Sequence, residues 1–103
     1  MSSDDPFAFL DATDQAALIR KGEVSATEFV AATLRRIERL NPKINSVVYP
    51  MDEIAHRAAQ QPLNMAAPFP GVPFLLKDLL AEYAGTPIAE GSRFLAGRCI
   101  STT

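Results

Sequence analysis

Apolar side chains recur at helical spacing in the first part of the chain, shortly after an acidic N-terminal tail. Residues 11–14 can start a helix, because Asp11 or Thr13 can cap its free N–H groups. The apolar positions continue to Ile19, and Gly22 follows a basic last turn in the position of a helix-ending glycine. The pattern therefore predicts a first short helix that stops before Gly22.

A second amphipathic stretch has a more specific start signal. Ser25 and Glu28 have the spacing of a capping box, in which the serine hydroxyl accepts a hydrogen bond from the third helical N–H group. The predicted apolar stripe consists of Val30, Leu34, Ile37 and Asn41. The charged residues predicted to face solvent are Arg35, Arg36, Glu38 and Arg39. Pro42 is predicted to end this helix, because a proline disfavours helical backbone at the residue before it.

Three further segments follow the second helix. The β-branched run from Ile44 to Tyr49 predicts a short strand that Pro50 terminates. Residues 51–60 predict a third helix with acidic residues in its first turn. Residues 61–70 contain three prolines and predict a connector without regular structure.

Composition divides the chain into two parts that differ in character. Residues 1–61 carry 7 basic and 9 acidic side chains, whereas residues 62–103 carry 3 of each and hold five of the 8 prolines and four of the 5 glycines. The chain has 103 residues with 48% hydrophobic content, which suits one domain at most. We therefore predict a mainly helical part at 1–61 and a loop and strand part at 62–103.

Charge and residue counts exclude several classes of function. The net charge of −2 gives no electrostatic basis for binding nucleic acid or an anionic membrane. His56 is the single histidine and Cys99 the single cysteine, so a zinc site would need several carboxylates and an internal disulfide is impossible. The acidic N-terminus lacks the features of a secretory signal, and we expect a cytoplasmic protein without a membrane partner.

The segment from Pro70 to Leu80 carries the most chemical information. An apolar run follows a proline–glycine turn, which is typical of a buried strand, and Lys77 and Asp78 interrupt that run. Burying an ammonium group costs several kcal/mol unless it is paired or loses its proton, so Lys77 is a candidate general base. The alternative is structural: Lys77 marks the end of a strand with its ammonium group in solvent, while Asp78 caps a helix. The residues alone leave both open.

The sequence Gly-Val-Pro-Phe-Leu-Leu-Lys-Asp at 71–78 resembles the motif of the amidase signature family. The resemblance extends from about Asp11 to Ser92 and includes Asp11-Ala12-Thr13, Gly22-Glu23-Val24-Ser25 and Asn41-Pro42. It is strongest for the bacterial amidase branch that includes the 6-aminohexanoate cyclic-dimer hydrolases. It implies an α/β fold, in which a mixed central sheet is covered by helices. Residues 1–103 would form the N-terminal part of this single domain, supplying its first helices and first strands.

The resemblance also implies an amidohydrolase that converts a carboxylic amide to an acid and an amine or ammonia through a Ser-cisSer-Lys acyl-enzyme mechanism, without a cofactor or metal. Lys77 takes the base role by its position in the motif. The serines of the family lie in a Gly/Ser-rich segment downstream of the lysine, whereas only Ser92 and Ser101 follow Lys77 here. We therefore expect these 103 residues to be inactive alone and to need the remainder of their own chain, whose strands would cover residues 62–103. Standing alone, this part would expose apolar surface.

Two alternatives have different partners. The chain could be a small non-catalytic module whose paired helices bind another protein, with Lys77 as an ordinary surface residue. It could also belong to the amidase-like subunit of a tRNA-dependent amidotransferase. For the amidohydrolase, the expected partners are a small-molecule amide substrate and a second copy of the chain in a homodimer.

Overall fold

Three α-helices follow one another along the first part of the chain: α1 (Ala12–Arg20), α2 (Ala26–Ile44) and α3 (Asp52–Ala59). They belong to a computed structural model that describes residues 5–79, 81–97 and 100–102. The chain divides into two compact units, Met1–Pro73 and Phe74–Thr103. All three helices lie in the first unit, and the division falls 12 residues beyond the change in composition, since 73 − 61 = 12.

Both ends of α1 are fixed by local hydrogen bonds. The Asp11 carboxylate accepts from the N–H group of Asp14 at 2.8 Å, which caps the first turn. At the other end Gly22 has a φ of 74°, and its N–H group donates to the Ile19 carbonyl at 3.0 Å. The N–H group of Glu23 donates to the Leu18 carbonyl at 3.1 Å, which completes a Schellman motif. The first predicted helix and its glycine stop are therefore confirmed.

The start of α2 agrees with the sequence, and its buried face agrees only in part. The N–H group of Glu28 donates to the Ser25 hydroxyl at 3.1 Å, as the capping box requires. The side chains that α2 buries are Ala26, Phe29, Val30 and Ala32. Of the predicted stripe Val30 is buried, whereas Leu34, Ile37 and Asn41 are half-buried. Arg36 departs from the prediction, because it is half-buried rather than fully exposed.

Arg36 is half-buried because it binds the segment that precedes α1. Its guanidinium donates to the two carboxylate oxygens of Asp5 at 2.6 and 2.9 Å, and Arg39 lies 3.8 Å from the same carboxylate. The ring of Phe7 packs on that of Phe29, with centroids 4.7 Å apart. An ion pair and an aromatic contact thus hold the N-terminal segment on α2.

The prediction that Pro42 ends the second helix is wrong, because α2 continues to Ile44 with the proline inside it. Proline has no backbone N–H group. At Pro42, two residues before the end of α2, this removes a single intrahelical hydrogen bond. The helix instead ends at Asn45, which has a φ of 47° and donates its N–H group to the Asn41 carbonyl at 2.6 Å. Asparagine tolerates this left-handed conformation better than most residues.

The strand predicted for residues 44–49 is not formed. The Asn41 side chain instead donates to the Val47 carbonyl and accepts from the Val47 N–H group, both at 2.9 Å. One amide side chain therefore satisfies the two backbone groups that a neighbouring strand would otherwise bind. The third predicted helix is confirmed as α3, which packs against α2.

The second unit contains no helix or strand among its described residues, and its one β-type pairing there is an antiparallel bridge between Pro87 and Ile100. The structure thus does not confirm the mixed sheet of the predicted α/β fold. Across the described part of the chain, every helix is too short or too polar to cross a membrane.

Candidate functional site

The segment that leads to Lys77 starts at a tightly packed glycine. Gly71 has a φ of 71°, and a β-carbon built on it would lie 2.8 Å from the β-carbon of Ala26 and 3.2 Å from Cδ1 of Ile19. Leu63 Cδ1 would lie 3.0 Å from the same atom. The backbone at Gly71 therefore approaches α1 and α2 more closely than any side chain would allow.

Arg20 at the end of α1 holds the connector that precedes Gly71. Its guanidinium donates to the carbonyls of Ala67 at 2.7 Å and Pro68 at 3.0 Å. The sequence predicts a connector without regular structure here, and the prolines give no indication that one arginine would bind its carbonyl groups. Within the first unit, the approach to the lysine motif is thus fixed by α1 and by the glycine.

Lys77 itself is exposed in the second unit, and no hydrogen bond or ion pair involves it among the described residues. The apolar side chains on either side are exposed as well: Phe74 by 83%, Leu75 by 62% and Leu79 by 47%. This is the state that the sequence predicts for the segment standing alone. A buried strand around the lysine is not formed within the described residues.

Asp78 differs from Lys77 in burial and in hydrogen bonding. It is half-buried, and one of its carboxylate oxygens accepts from the N–H group of Ala89 at 3.3 Å. The predicted structural alternative had Asp78 capping a helix, and this is wrong, because the described residues that follow Asp78 form no helix. The N–H group that it binds belongs to Ala89, which begins a tight turn. Sequence spacing gave no signal of this contact, which joins residues 11 positions apart.

The turn that Asp78 contacts has a defined geometry. The N–H group of Ser92 donates to the Ala89 carbonyl at 2.8 Å, and the two central residues have left-handed backbone, with a φ of 50° at Glu90 and 75° at Gly91. Positive φ at both central positions identifies a type I′ turn. The Ser92 hydroxyl then accepts from the N–H group of Phe94 at 3.2 Å.

The remaining candidate nucleophiles and bases are not gathered around Lys77. The Ser92 hydroxyl is engaged with local backbone, and Ser101 is only 3% exposed, with its backbone N–H group donating to the Thr86 carbonyl at 2.9 Å. His56 is exposed on α3 in the first unit. Cys99 lies outside the described residues. In the described ranges, no three histidine, cysteine or acidic side chains form a cluster suited to a metal ion.

A comparison with family models gives one match: residues 28–101 match the model described as Amidase. The match includes α2 from its third residue onward, the segment of residues 71–78 and the turn at Ala89. No solved structure matches the chain.

Curated relatives have related names. The chain is 48% identical over 75 residues to the 6-aminohexanoate-cyclic-dimer hydrolase of Pseudomonas sp. (strain NK87), with 73% of this chain and 15% of that protein covered. It is 32% identical over 94 residues to the acylamidase of Rhodococcus erythropolis, covering 85% and 20%. It is 36% identical over 97 residues to a glutamyl-tRNA(Gln) amidotransferase subunit of Salinispora arenicola, covering 85% and 19%. The chain thus spans about a fifth or less of the length of these relatives.

Proposed function

Because this chain belongs to the amidase family, we propose that it is part of an amidohydrolase that converts a carboxylic amide to an acid and an amine or ammonia. The observation that carries the proposal is the family match over residues 28–101, which includes the Lys-Asp motif at 77–78. The names of the hydrolase and acylamidase relatives support the same class of reaction.

Lys77 is the proposed general base of a Ser-cisSer-Lys mechanism, which the family resemblance implies. The neutral amine of Lys77 takes a proton, through a bridging serine, from a second serine whose oxygen attacks the amide carbonyl. The carbon–nitrogen bond then breaks, the amine leaves with a proton, and water hydrolyses the acyl ester to the acid. Both serines lie outside these 103 residues in this proposal, since neither Ser92 nor Ser101 lies in a Gly/Ser-rich segment of the kind that holds the family's serines.

The base role requires that water be removed from around Lys77. Lys77 is exposed, and the apolar residues around it, Phe74, Leu75 and Leu79, are exposed with it. We propose that chain beyond these residues covers this segment, pairs with it as part of a mixed α/β sheet and buries the lysine. The length of the relatives, of which the chain spans 15–20%, leaves ample sequence for such a cover.

The test uses the complete protein that contains this chain and the cyclic dimer of 6-aminohexanoate and an acyl anilide as probes. Lys77→Ala is expected to lower kcat by about a thousandfold or more, as loss of a residue that acts within a catalytic unit does. Lys43→Ala is the matched control, because Lys43 is an exposed lysine of α2 outside the motif. Substantial amide hydrolysis by the Lys77→Ala protein would refute the base assignment, and we expect none from the 103 residues alone.

A second candidate is the amidase-like subunit of a tRNA-dependent amidotransferase. The similarity to two glutamyl-tRNA(Gln) amidotransferase subunits, at 36% and 39% identity, favours it specifically. In the first function water receives the acyl group of the amide, and in the second glutamyl-tRNA receives an amino group. Two assays therefore separate them. Glutamine-dependent amidation of glutamyl-tRNA, in a reconstituted complex, would support the second, whereas hydrolysis of free small amides without tRNA supports the first.

The proposal places the protein in the cytoplasm, with a small-molecule amide as its substrate and a second copy of the protein as its partner. The chain's net charge of −2 supports a substrate that is not a nucleic acid. A mass measurement of the complete protein in solution tests the homodimer.

A further inference from the structure

Asp78 connects the lysine motif to a distant part of the second unit. Its carboxylate accepts from the N–H group of Ala89, 11 positions along the chain, and Asp78 is half-buried while Lys77 beside it is exposed. The two residues of the motif thus differ in environment: one side chain is free in solvent and the other is bound to backbone. Because the two residues share one planar peptide unit, a contact that fixes Asp78 also restricts the backbone from which the Lys77 side chain projects.

The group that Asp78 binds belongs to a well-defined turn. The Ala89 carbonyl accepts from the N–H group of Ser92 at 2.8 Å, and Glu90 and Gly91 occupy the left-handed region between them. Beyond the turn, the Ser92 carbonyl accepts from the N–H group of Ala96 at 3.1 Å. A side chain that binds such a turn is attached to a point with few alternative conformations.

Backbone pairing does little to hold the motif. Between residues 74 and 79 no helix or strand is present, and the Pro87–Ile100 bridge is the one β-type pairing in the described part of this unit. Among the described residues, the hydrogen bond from Ala89 is therefore the long-range hydrogen bond of the Lys77-Asp78 pair. Its length of 3.3 Å lies slightly beyond the usual range of about 2.7–3.2 Å for an N–H···O bond, so the contact restricts the backbone without holding it rigidly.

We infer that Asp78 is a positioning residue, which sets the direction of the Lys77 side chain by binding the Ala89 turn. The inference rests on the proposed function, because it gives Asp78 a role in the same reaction. Asp78 transfers no proton, and its role is to fix the position of the backbone next to Lys77. Its contribution is large when the reacting atoms must be aligned closely, since a displacement of about 1 Å can cost about a hundredfold in rate.

The experiment compares Asp78→Ala with Asp78→Asn in the complete protein, using the cyclic dimer of 6-aminohexanoate and an acyl anilide as probes. Alanine removes the acceptor, and we expect kcat to fall between about tenfold and a hundredfold while KM changes by less than about threefold. Asparagine keeps a carbonyl oxygen of the same reach, and we expect kcat within about threefold of the wild-type value. Glu82→Ala is the matched control, because Glu82 is an exposed acidic residue of the same unit, and we expect it to leave kcat unchanged.

Each outcome decides the inference. Wild-type kcat in Asp78→Ala overturns it, and so does an asparagine variant as slow as the alanine variant, because the negative charge would then be the active feature. Should the alanine variant fail to fold by circular dichroism, the asparagine variant decides alone: retained kcat with an unchanged pH profile supports the inference, and lost kcat overturns it.

Lys77→Ala, measured in the same assay, separates the two proposals. An active Lys77→Ala protein refutes the base assignment and the inference with it, whereas a wild-type protein that hydrolyses no amide refutes the proposed function as well. An inactive Lys77→Ala protein together with a fully active Asp78→Ala protein refutes the inference alone.

Discussion

Gly71→Ala tests whether the start of the lysine motif is held by close packing against α1 and α2. The added methyl group would lie 2.8 Å from the β-carbon of Ala26, which is only 4% exposed and belongs directly to the backbone of α2. That carbon cannot move without the helix, so the contact costs about 1–3 kcal/mol as overpacking. The φ of 71° adds about 1 kcal/mol for a residue with a β-carbon. We therefore expect the free energy of unfolding to fall by about 2–4 kcal/mol.

Gly22→Ala provides a matched control for the backbone contribution. Gly22 has nearly the same φ, 74°, but a β-carbon there would meet nothing within 4 Å. This variant should lose only the conformational cost of about 1 kcal/mol. Urea unfolding, followed by far-ultraviolet circular dichroism, gives both values from the shift in midpoint. Losses that agree within about 0.5 kcal/mol would refute the close approach at Gly71.

Two further predictions concern contacts of α2. The hydrogen bonds with Arg36 lower the pKa of Asp5, so their stabilisation is present above the unfolded pKa of about 3.9 and is lost as the pH falls through the folded value. The wild-type melting temperature should therefore fall more on acidification than that of Asp5→Asn, and parallel pH profiles would contradict the contribution of this pair. Asn41→Ala leaves both backbone groups of Val47 without their partner and should cost about 1–3 kcal/mol in urea unfolding. A loss below about 0.5 kcal/mol would show that these two hydrogen bonds contribute little to stability.

Features that depend on a few neighbouring residues were predictable from the sequence. Asp11 and Ser25 cap their helices through N–H groups three positions away, and Gly22 ends α1 through its own backbone conformation. Each signal is complete within one turn of helix, so no distant contact can displace it easily. The start of α2 and the end of α1 were therefore correct to within a residue or two.

The errors occur where a hydrogen bond that the sequence pattern does not indicate competes with a local preference. Pro42 indicates a helix end, but the helix continues to Ile44, and the Asn41 side chain replaces the strand partner that Val47 was expected to have. The sequence pattern around Arg36 indicates a solvent-facing residue, but Asp5, 31 positions earlier, binds it. The spacing of apolar and polar residues does not indicate a contact between residues so far apart in the chain.

At the candidate site, the identity of the lysine could be predicted from the sequence, but its surroundings could not. The identity of Lys77 as a candidate followed from its apolar neighbours and the family motif, because both are written in consecutive residues. The environment of Lys77 could not be predicted in this way, since burial of Phe74 and Leu75 requires residues outside this segment to pack on them, and both are exposed here. Under the proposed function, the cover that would complete the sheet would also be the cover that removes water from the lysine. The base role of Lys77 and the completed fold would then depend on the same contacts, so a substitution that loosens the cover should lower kcat and the free energy of unfolding together.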